Sequence, residues 1–415
     1  MTYRPDVSVI IVSNARPDSL ALTLKALEYQ RYRNFEVIVV SDVPAARRPA
    51  TDLYARWIAF EERNISAARN RGLVAARGEI IAFIDDDAVP EFGWLGALIS
   101  PFETDRVGAA GGFVRGRNGV SFQWKASLFD RLGADHPIDV PDGITIFPPD
   151  TNRFLKTTGT NCAFRRGALV DVGGFDAAYH FFLDETDLNL RLSQAGWHAA
   201  INPAAEVLHG FAEGPHRTAR RVPTSLFEIG ASLACFLHRH APKADHADRL
   251  SQFRAEQRAR LLRHHSVGLL DGTSVRALMA SLERGYQDGP KRAPDTLAIR
   301  DWGTGKFPPP RPRETPERLC IALPLLGGAA AMARAQEAAA ARHEVTVLAP
   351  ELSTRALTVN FTSDGYFLHR FGLAGKSERG NPRRLRSVTD RIEAERRRIA
   401  DQRDVDQVLN INSLG

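Results

Sequence analysis

The sequence predicts an α/β fold with a mostly parallel sheet, and three observations carry that expectation. Apolar runs of strand length recur at VSVIIVS (7–13), FEVIVVSD (35–42) and EIIAFID (79–85). Stretches with apolar residues at helical spacing lie between them, and strands alternating with helices are the mark of βαβ units. Each run also closes on turn-forming or acidic residues. In sheets of this kind ligands bind beyond the C-terminal strand ends, and Asp42 and the triplet Asp85, Asp86 and Asp87 fall there.

The remaining elements follow in order. After the polar turn at 14–18, Leu20, Leu24 and Leu27 recur as one face of a helix. WIAFEE (57–62) reads as a short strand. Residues 66–76 read as a helix with Ala67, Ala68 and Leu73 inward, stopped by Gly78. Residues 90–102 suggest a helix carrying Trp94, Leu95, Leu98 and Ile99, and 107–116 a strand and turn. Residues 119–150, rich in Pro, Asp and aromatics, suggest a pocket wall. A strand, a short helix and a Gly-Gly turn fill 157–176, and DETDLNLRLSQAG (184–196) is a helix ended by glycine. Two basic amphipathic helices are expected over 224–240 and 245–265. FPPPRPRETP, within 291–317, favours an extended linker. From 318 to 350 a strand, glycine turn, alanine-rich helix and strand open a second α/β unit.

Composition narrows the class. The 415 residues are 43% hydrophobic and 25% charged, ordinary for a water-soluble chain. A net charge of +6 permits an anionic partner such as a nucleotide or an acidic membrane surface. It also fits an arginine-rich chain with no such partner. The three cysteines, Cys162, Cys235 and Cys320, are far apart, which argues against a disulfide framework or a zinc-thiolate site and for a cytoplasmic setting. No run suits a signal peptide or a membrane span. Peripheral contact with the inner face of the cell membrane and a homo-oligomer stay compatible with this composition. No nucleic-acid partner is expected, because the basic stretch 239–265 lacks an aromatic ladder.

The chemistry concentrates in two acidic groups. Three adjacent carboxylates repel one another, so Asp85, Asp86 and Asp87 must be solvated or must hold a cation. On spacing alone both readings stand. Mg²⁺ or Mn²⁺ would take a hard oxygen ligand from Asp87, with Asp85 nearby on ribose or metal. In the second group, Asp184 is placed as a helix N-cap with Asp187 in the first turn. Asp187 and Arg191 are spaced for an i,i+4 ion pair. Glu185 is left facing differently, free to act as a base.

In this order, VSVIIVS, VIVVSD, NISAARNRGLVAARGEIIAFIDDDAVP, GTNCAFRR, VGGFD and DETDLNLRL resemble the family 2 inverting glycosyltransferases of GT-A fold. The resemblance covers about half the chain, from 7 to about 209. It implies a Rossmann-like mixed sheet, a nucleoside-diphosphate sugar as donor and a divalent metal. Asp85–Asp87 take the DxD position, with Asp87 on the metal and Asp85 and Asp86 at the donor. Arg69 meets the nucleotide and Glu185 is the catalytic base, beside Asp184. His209 takes the place of a further metal ligand, and imidazole beside carboxylates suits Mn²⁺. One position departs: the family's second strand commonly ends in two acids, whereas Ser41 precedes Asp42 here. Asp42 is the candidate for the base contact, and the nucleoside is read only as far as a diphosphate, UDP being the family's common choice.

Trp94 and Trp197 could stack on sugar rings, although such residues are more often core than platform, and Asn161 could bond a sugar hydroxyl on the acceptor side. The acceptor implied is a polysaccharide, oligosaccharide or lipid-linked glycan. The resemblance and the pattern of elements beyond it divide the chain into a nucleotide-sugar half (1–115), an acceptor half (116–223), a helical extension (224–290), the linker (291–317) and a partial Rossmann-like region (318–415). The last faintly resembles the start of a GT-B glycosyltransferase domain. The rival to an enzyme is a catalytically silent nucleotide-binding protein of the same fold.

Overall fold

A computed structural model describes residues 3–210, 213–297, 302–303, 305–308, 315–378, 380–403 and, for the backbone, 408–410. Much of the expected linker, including 309–314, lies outside the described residues.

The expected alternation is present. β1 (Val7–Ser13), α1 (Pro17–Leu27), β2 (Phe35–Ser41), β3 (Ala55–Ala59), α2 (Ile65–Ala75) and β4 (Ile80–Ile84) follow one another. They pair in parallel as β3-β2-β1-β4. Pro17 at the first turn of α1 and the Asn64 side chain, which accepts from the Ala67 amide, start the two helices as their sequences suggest. The third strand begins two residues earlier than WIAFEE. Beyond β4 come β5 (Ala88–Pro90), α3 (Trp94–Ile99), β6 (Val107–Arg115), β7 (Phe122–Trp124), β8 (Ser127–Asp130), β9 (Asp135–Pro137), β10 (Thr145–Phe147), β11 (Arg153–Leu155), β12 (Asn161–Arg165), α4 (Arg166–Val172), α5 (Asp184–Gln194) and β13 (His198–His209). The helix expected over 90–102 is shorter, because 88–90 are drawn into a strand pairing with β13.

The main sheet runs β10-β13-β6-β12-β4-β1-β2-β3. Its direction changes at β12, which is antiparallel to both β4 and β6. This is the mixed, helix-flanked GT-A arrangement expected from the sequence. One face buries Leu20, Leu24, Trp94 and Leu98, and the other buries Leu73, Phe83, Phe164 and Leu188. Strands apolar on both faces are what two helical layers require. β8, β9 and β11 form a small separate sheet.

The helical extension is α6 (Phe227–His240), α7 (His246–Ser266) and α8 (Gly272–Asp288), joined to the first domain through Phe129, Tyr179 and Leu190. No helix among the described residues is long and apolar enough to cross a membrane. The C-terminal unit is β14 (Arg318–Ala322), α9 (Ala329–Ala340), β15 (Glu344–Glu351), β16 (Thr358–Phe361), β17 (Phe367–Gly372), α10 (Val388–Arg403) and β18 (Val408–Asn410). Its sheet order is β16-β17-β15-β14-β18. Although a proline-rich stretch precedes it, it shares a core with the first domain: Tyr29, Val89, Phe92 and Leu208 pack with Leu348, Phe361, Phe367 and Ile399.

Candidate active site

At the C-terminal edge of the parallel strands lies a cavity of about 360 Å³. The ends of β1 and β4, the start of α2, the turn before β12, the start of α5 and the end of β13 all reach it. From the acidic triplet it receives Asp85 and Asp87, with His209 opposite. These three offer ligand atoms within 4.8 Å of one another. His209 Nε2 lies 3.1 Å from Asp87 Oδ1 and 3.8 Å from Asp85 Oδ2. On the far side of its ring, Nδ1 meets Gln123 Oε1 at 3.0 Å. If Nδ1 carries the proton to Gln123, Nε2 and Asp87 present lone pairs to each other, an arrangement that a shared cation relieves. Otherwise a protonated Nε2 donates to Asp87. Thr160 donates its hydroxyl to Asp85 Oδ2 at 2.5 Å. Two carboxylates and one imidazole, oriented from outside by an amide and a hydroxyl, form a donor set that fits Mn²⁺ and accommodates Mg²⁺.

Asp86 lies elsewhere. It is fully buried, and Arg16 reaches it at 2.7 Å. Burial raises its carboxyl to about 7, against the opposing pull of Arg16. Its role at the donor is therefore corrected: alternation along the chain turns it inward, where it ties the β1–α1 turn to the triplet. The Thr23 hydroxyl fixes the same backbone, bonding the carbonyls of Asp86 and Ala88 at 2.9 Å each. Asp42 accepts from the Ala15 amide at 2.7 Å and so holds that turn, in which Ala15 has φ 52°. It is absent from the cavity wall.

The second acidic group divides its work differently from the expectation. Leu183, not Asp184, occupies the cap position of α5, with φ 63°, and Phe182 before it has φ 74°. Two consecutive non-glycine residues in the left-handed region are costly and tend to mark functional turns. Asp184 lies inside the helix, and its carboxylate pairs with the buried Arg69. That guanidinium sits over the rings of Phe83 and Phe175. A Cβ at Gly159 would come within 2.1 Å of Arg69 Nη2, so the glycine of GTN makes room for it. Asp187 pairs with Arg191 at 2.7 Å, as the i,i+4 spacing suggests, and also meets His240 at 2.7 Å. Glu185 remains, on the cavity wall. Burial raises its pKa most, then the Asp184 charge, while Lys156 and Arg69 oppose. A raised pKa brings a carboxylate toward the range of a base working near neutrality.

The three acceptor-side residues stand away from the cavity. Trp94 is fully buried and donates to Asn161 Oδ1 at 2.8 Å. Asn161, also buried, donates to the carbonyls of Phe113 and Ala205. Their polar atoms are satisfied within the core, which corrects both as acceptor contacts. Trp197 bonds Asp171 at 3.0 Å and packs over Gly108, so it too is corrected. Instead, Phe181 and His216 stack at 4.1 Å on the cavity wall. Gln123, Thr160, Phe181 and Arg217 were not singled out from the sequence. Thr160 alone carries a signal there, through its place beside the glycine of GTN. Cys162 is buried, its thiol pushed up by burial, consistent with core.

Residues 8–173 match the family model described as Glycosyl transferase family 2. A pre-mycofactocin glycosyltransferase of Mycobacterium tuberculosis is 29% identical over 251 residues, covering 57% of this chain and 49% of that protein. A glucosyl-dolichyl phosphate glucuronosyltransferase of Haloferax volcanii is 25% identical over 228 residues, covering 49% and 68%. The chain thus spans about half the length of the first of these relatives. Among solved structures, a mannosyltransferase of Pyrobaculum calidifontis in complex with GDP-Man and Mn²⁺ aligns with a TM-score of 0.42 at 18% identity, covering 69% of this chain and 88% of that one. The family match stops at residue 173 and lends no support to the GT-B resemblance of the C-terminal unit. Residues 8–173 are thus similar in sequence to the family 2 glycosyl transferases, and they contain the ends of β1 and β4 and the acidic triplet, whereas the α5 and β13 parts of the cavity lie beyond them.

Proposed function

We propose that the chain is a metal-dependent inverting glycosyltransferase that moves a sugar from a nucleoside-diphosphate donor, UDP-linked by family habit, to a hydroxyl of a glycan or lipid-linked glycan. One observation carries this reading. A single cavity holds both the Asp85–Asp87–His209 cluster and Glu185, whose carboxylate, unlike those of Asp184 and Asp187, forms no arginine ion pair among the described residues. Asp85, Asp87 and His209 would hold the cation, which supplies charge neutralisation at the donor diphosphate. Glu185 accepts the proton of the acceptor hydroxyl, whose oxygen attacks the anomeric carbon opposite the leaving diphosphate. Asp184 acts through Arg69, holding its guanidinium at the wall where the nucleotide would lie.

The test is incubation with a panel of nucleotide sugars and Mn²⁺, reading the nucleoside diphosphate released. Release that EDTA abolishes is expected. Mn²⁺-dependent binding of a nucleotide sugar without any release or transfer would favour the silent, binding-only alternative. The imidazole orientation gives a finer check. Gln123→Ala removes the group that fixes His209 Nδ1, so Mn²⁺ affinity measured by calorimetry is expected to fall about 10–100-fold. An unchanged affinity would mean that His209 does not ligate.

A further inference from the structure

No residue of the C-terminal unit lines the cavity, yet one edge of that unit exposes apolar surface in a concentrated way. The three most exposed large apolar side chains among the described residues all belong to it: Leu326, Leu385 and Leu352 are 84%, 80% and 76% exposed. Scattered singly, such residues mean little. These three share one place. In the parallel pair β14–β15, Ala322 stands beside Leu348, and Leu326 and Leu352 each lie four residues beyond that pair. β15 and β17 end level, with Glu351 beside Gly372. Past those ends the Leu373 amide bonds the Glu351 carbonyl at 2.9 Å, and the Leu373 carbonyl accepts from the Arg386 amide at 3.1 Å. Leu373 is buried, so it fastens the neighbours of both Leu352 and Leu385 to the same sheet end. Ser387 then starts α10, its hydroxyl accepting from the Asp390 amide at 3.0 Å. The leucines thus stand on anchored loops at the C-terminal edge of the second sheet.

Positive charge accompanies them. KSERGNPRRLR (376–386) holds five basic residues and one acidic one. Arg383, Arg384 and Arg386 are exposed and flank Leu385 on both sides, and none of them is in an ion pair among the described residues. Glu351, on the same edge, is taken by Arg355 at 2.7 Å. Separate leucines on loop tips do not make the closely packed apolar floor on which a folded partner docks. They suit a surface that yields, where apolar tips enter the acyl boundary while guanidinium groups stay with anionic headgroups.

We propose that this edge is a docking surface for an anionic lipid membrane, with Leu326, Leu352 and Leu385 as inserting tips and Arg383, Arg384 and Arg386 as headgroup contacts. Docking here is independent of the sugar-transfer reading, because none of these residues lines the cavity.

Flotation of the full chain with phosphatidylcholine vesicles, with and without phosphatidylglycerol, is the test. Binding is expected only with phosphatidylglycerol, and weaker as salt is raised. The triple variant Leu326→Ser/Leu352→Ser/Leu385→Ser gives up little buried surface, so its thermal unfolding should match that of the native chain while vesicle affinity falls roughly tenfold or more. Arg383→Gln/Arg384→Gln/Arg386→Gln should lose about as much. Native binding that the leucine variant keeps would overturn the proposal and move the contact to another basic surface, such as α7. A native chain that ignores the phosphatidylglycerol vesicles overturns it as well. Self-association of that chain by light scattering, abolished in the leucine variant, would then make the edge a contact between two copies.

Discussion

Glu185→Gln is expected to lower sugar transfer by roughly 10²–10⁴-fold, the usual contribution of a positioned proton acceptor. The substitution keeps the side chain's size and removes only its basicity. Donor affinity should barely move, because the carboxylates proposed to serve the donor are Asp85 and Asp87, not Glu185. Asp184→Asn should behave differently. Had Asp184 been the helix cap, asparagine would have served almost as well. Since it pairs with the buried Arg69, the variant leaves a guanidinium charge without its partner, and lower stability with weakened donor binding is expected. Initial rates and donor affinity for both variants separate the two roles. If Asp184→Asn keeps donor binding and only loses rate while Glu185→Gln transfers normally, the two acids have been assigned the wrong way round. The pH profile gives a second measurement. Burial and the Asp184 charge raise Glu185, so its basic form is populated only as pH climbs through that raised value. Transfer should therefore rise with pH above the ordinary carboxylate range, about 4.3. A limb at that ordinary value, present in the native chain and absent in Glu185→Gln, would show that the carboxyl titrates unperturbed.

What could be read from the sequence was whatever short spacing determines. The alternation of strands and helices, the strand end followed by Asp85 and Asp87, and the Asp187–Arg191 pair are all local patterns, and all are present. Asp86 was misplaced because a run of three identical acids does not say which one turns inward; packing against Arg16 does. Trp94 and Asn161 were misjudged because a tryptophan and an amide suit a sugar as well as they suit each other, and only their mutual hydrogen bond decides. Gln123 and His209 are 86 positions apart, so no window of sequence joins them.

A long-range pairing concerns the tail, and it reverses what the proline-rich stretch before residue 318 suggests. That stretch reads as a linker to a separable unit, which would leave a folded first domain on removal of 318–415. In the structure Glu91 takes a two-pronged hydrogen bond from Arg403, 312 positions away, at 2.8 and 2.7 Å, with both side chains buried. Arg403 also reaches His369 at 2.6 Å, and its guanidinium lies 3.7 Å from the centre of the Phe367 ring. His369 is depressed to about 4, chiefly by burial, so it is neutral and can accept from Arg403. Around this network Tyr29 and Phe92 complete an apolar core with Phe361 and Phe367. Glu91→Gln is thus expected to cost about 3–5 kcal/mol, because it strands a buried guanidinium. Urea unfolding of Glu91→Gln, Arg403→Met and the double variant checks this: the double should lose less than the sum of the singles, as a direct interaction requires. Strict additivity would mean that the two groups do not interact. Truncation before residue 318 should be harsher, since it bares Tyr29, Val89, Phe92 and Leu208 together, and aggregation by light scattering is the expected result. A soluble, monomeric truncated chain that still binds UDP with Mn²⁺ would show that the shared core is dispensable. Because Glu91 follows Asp87 by only four residues, a loss of metal-dependent binding in Glu91→Gln while the chain is still folded would show that the tail also steadies the acidic triplet.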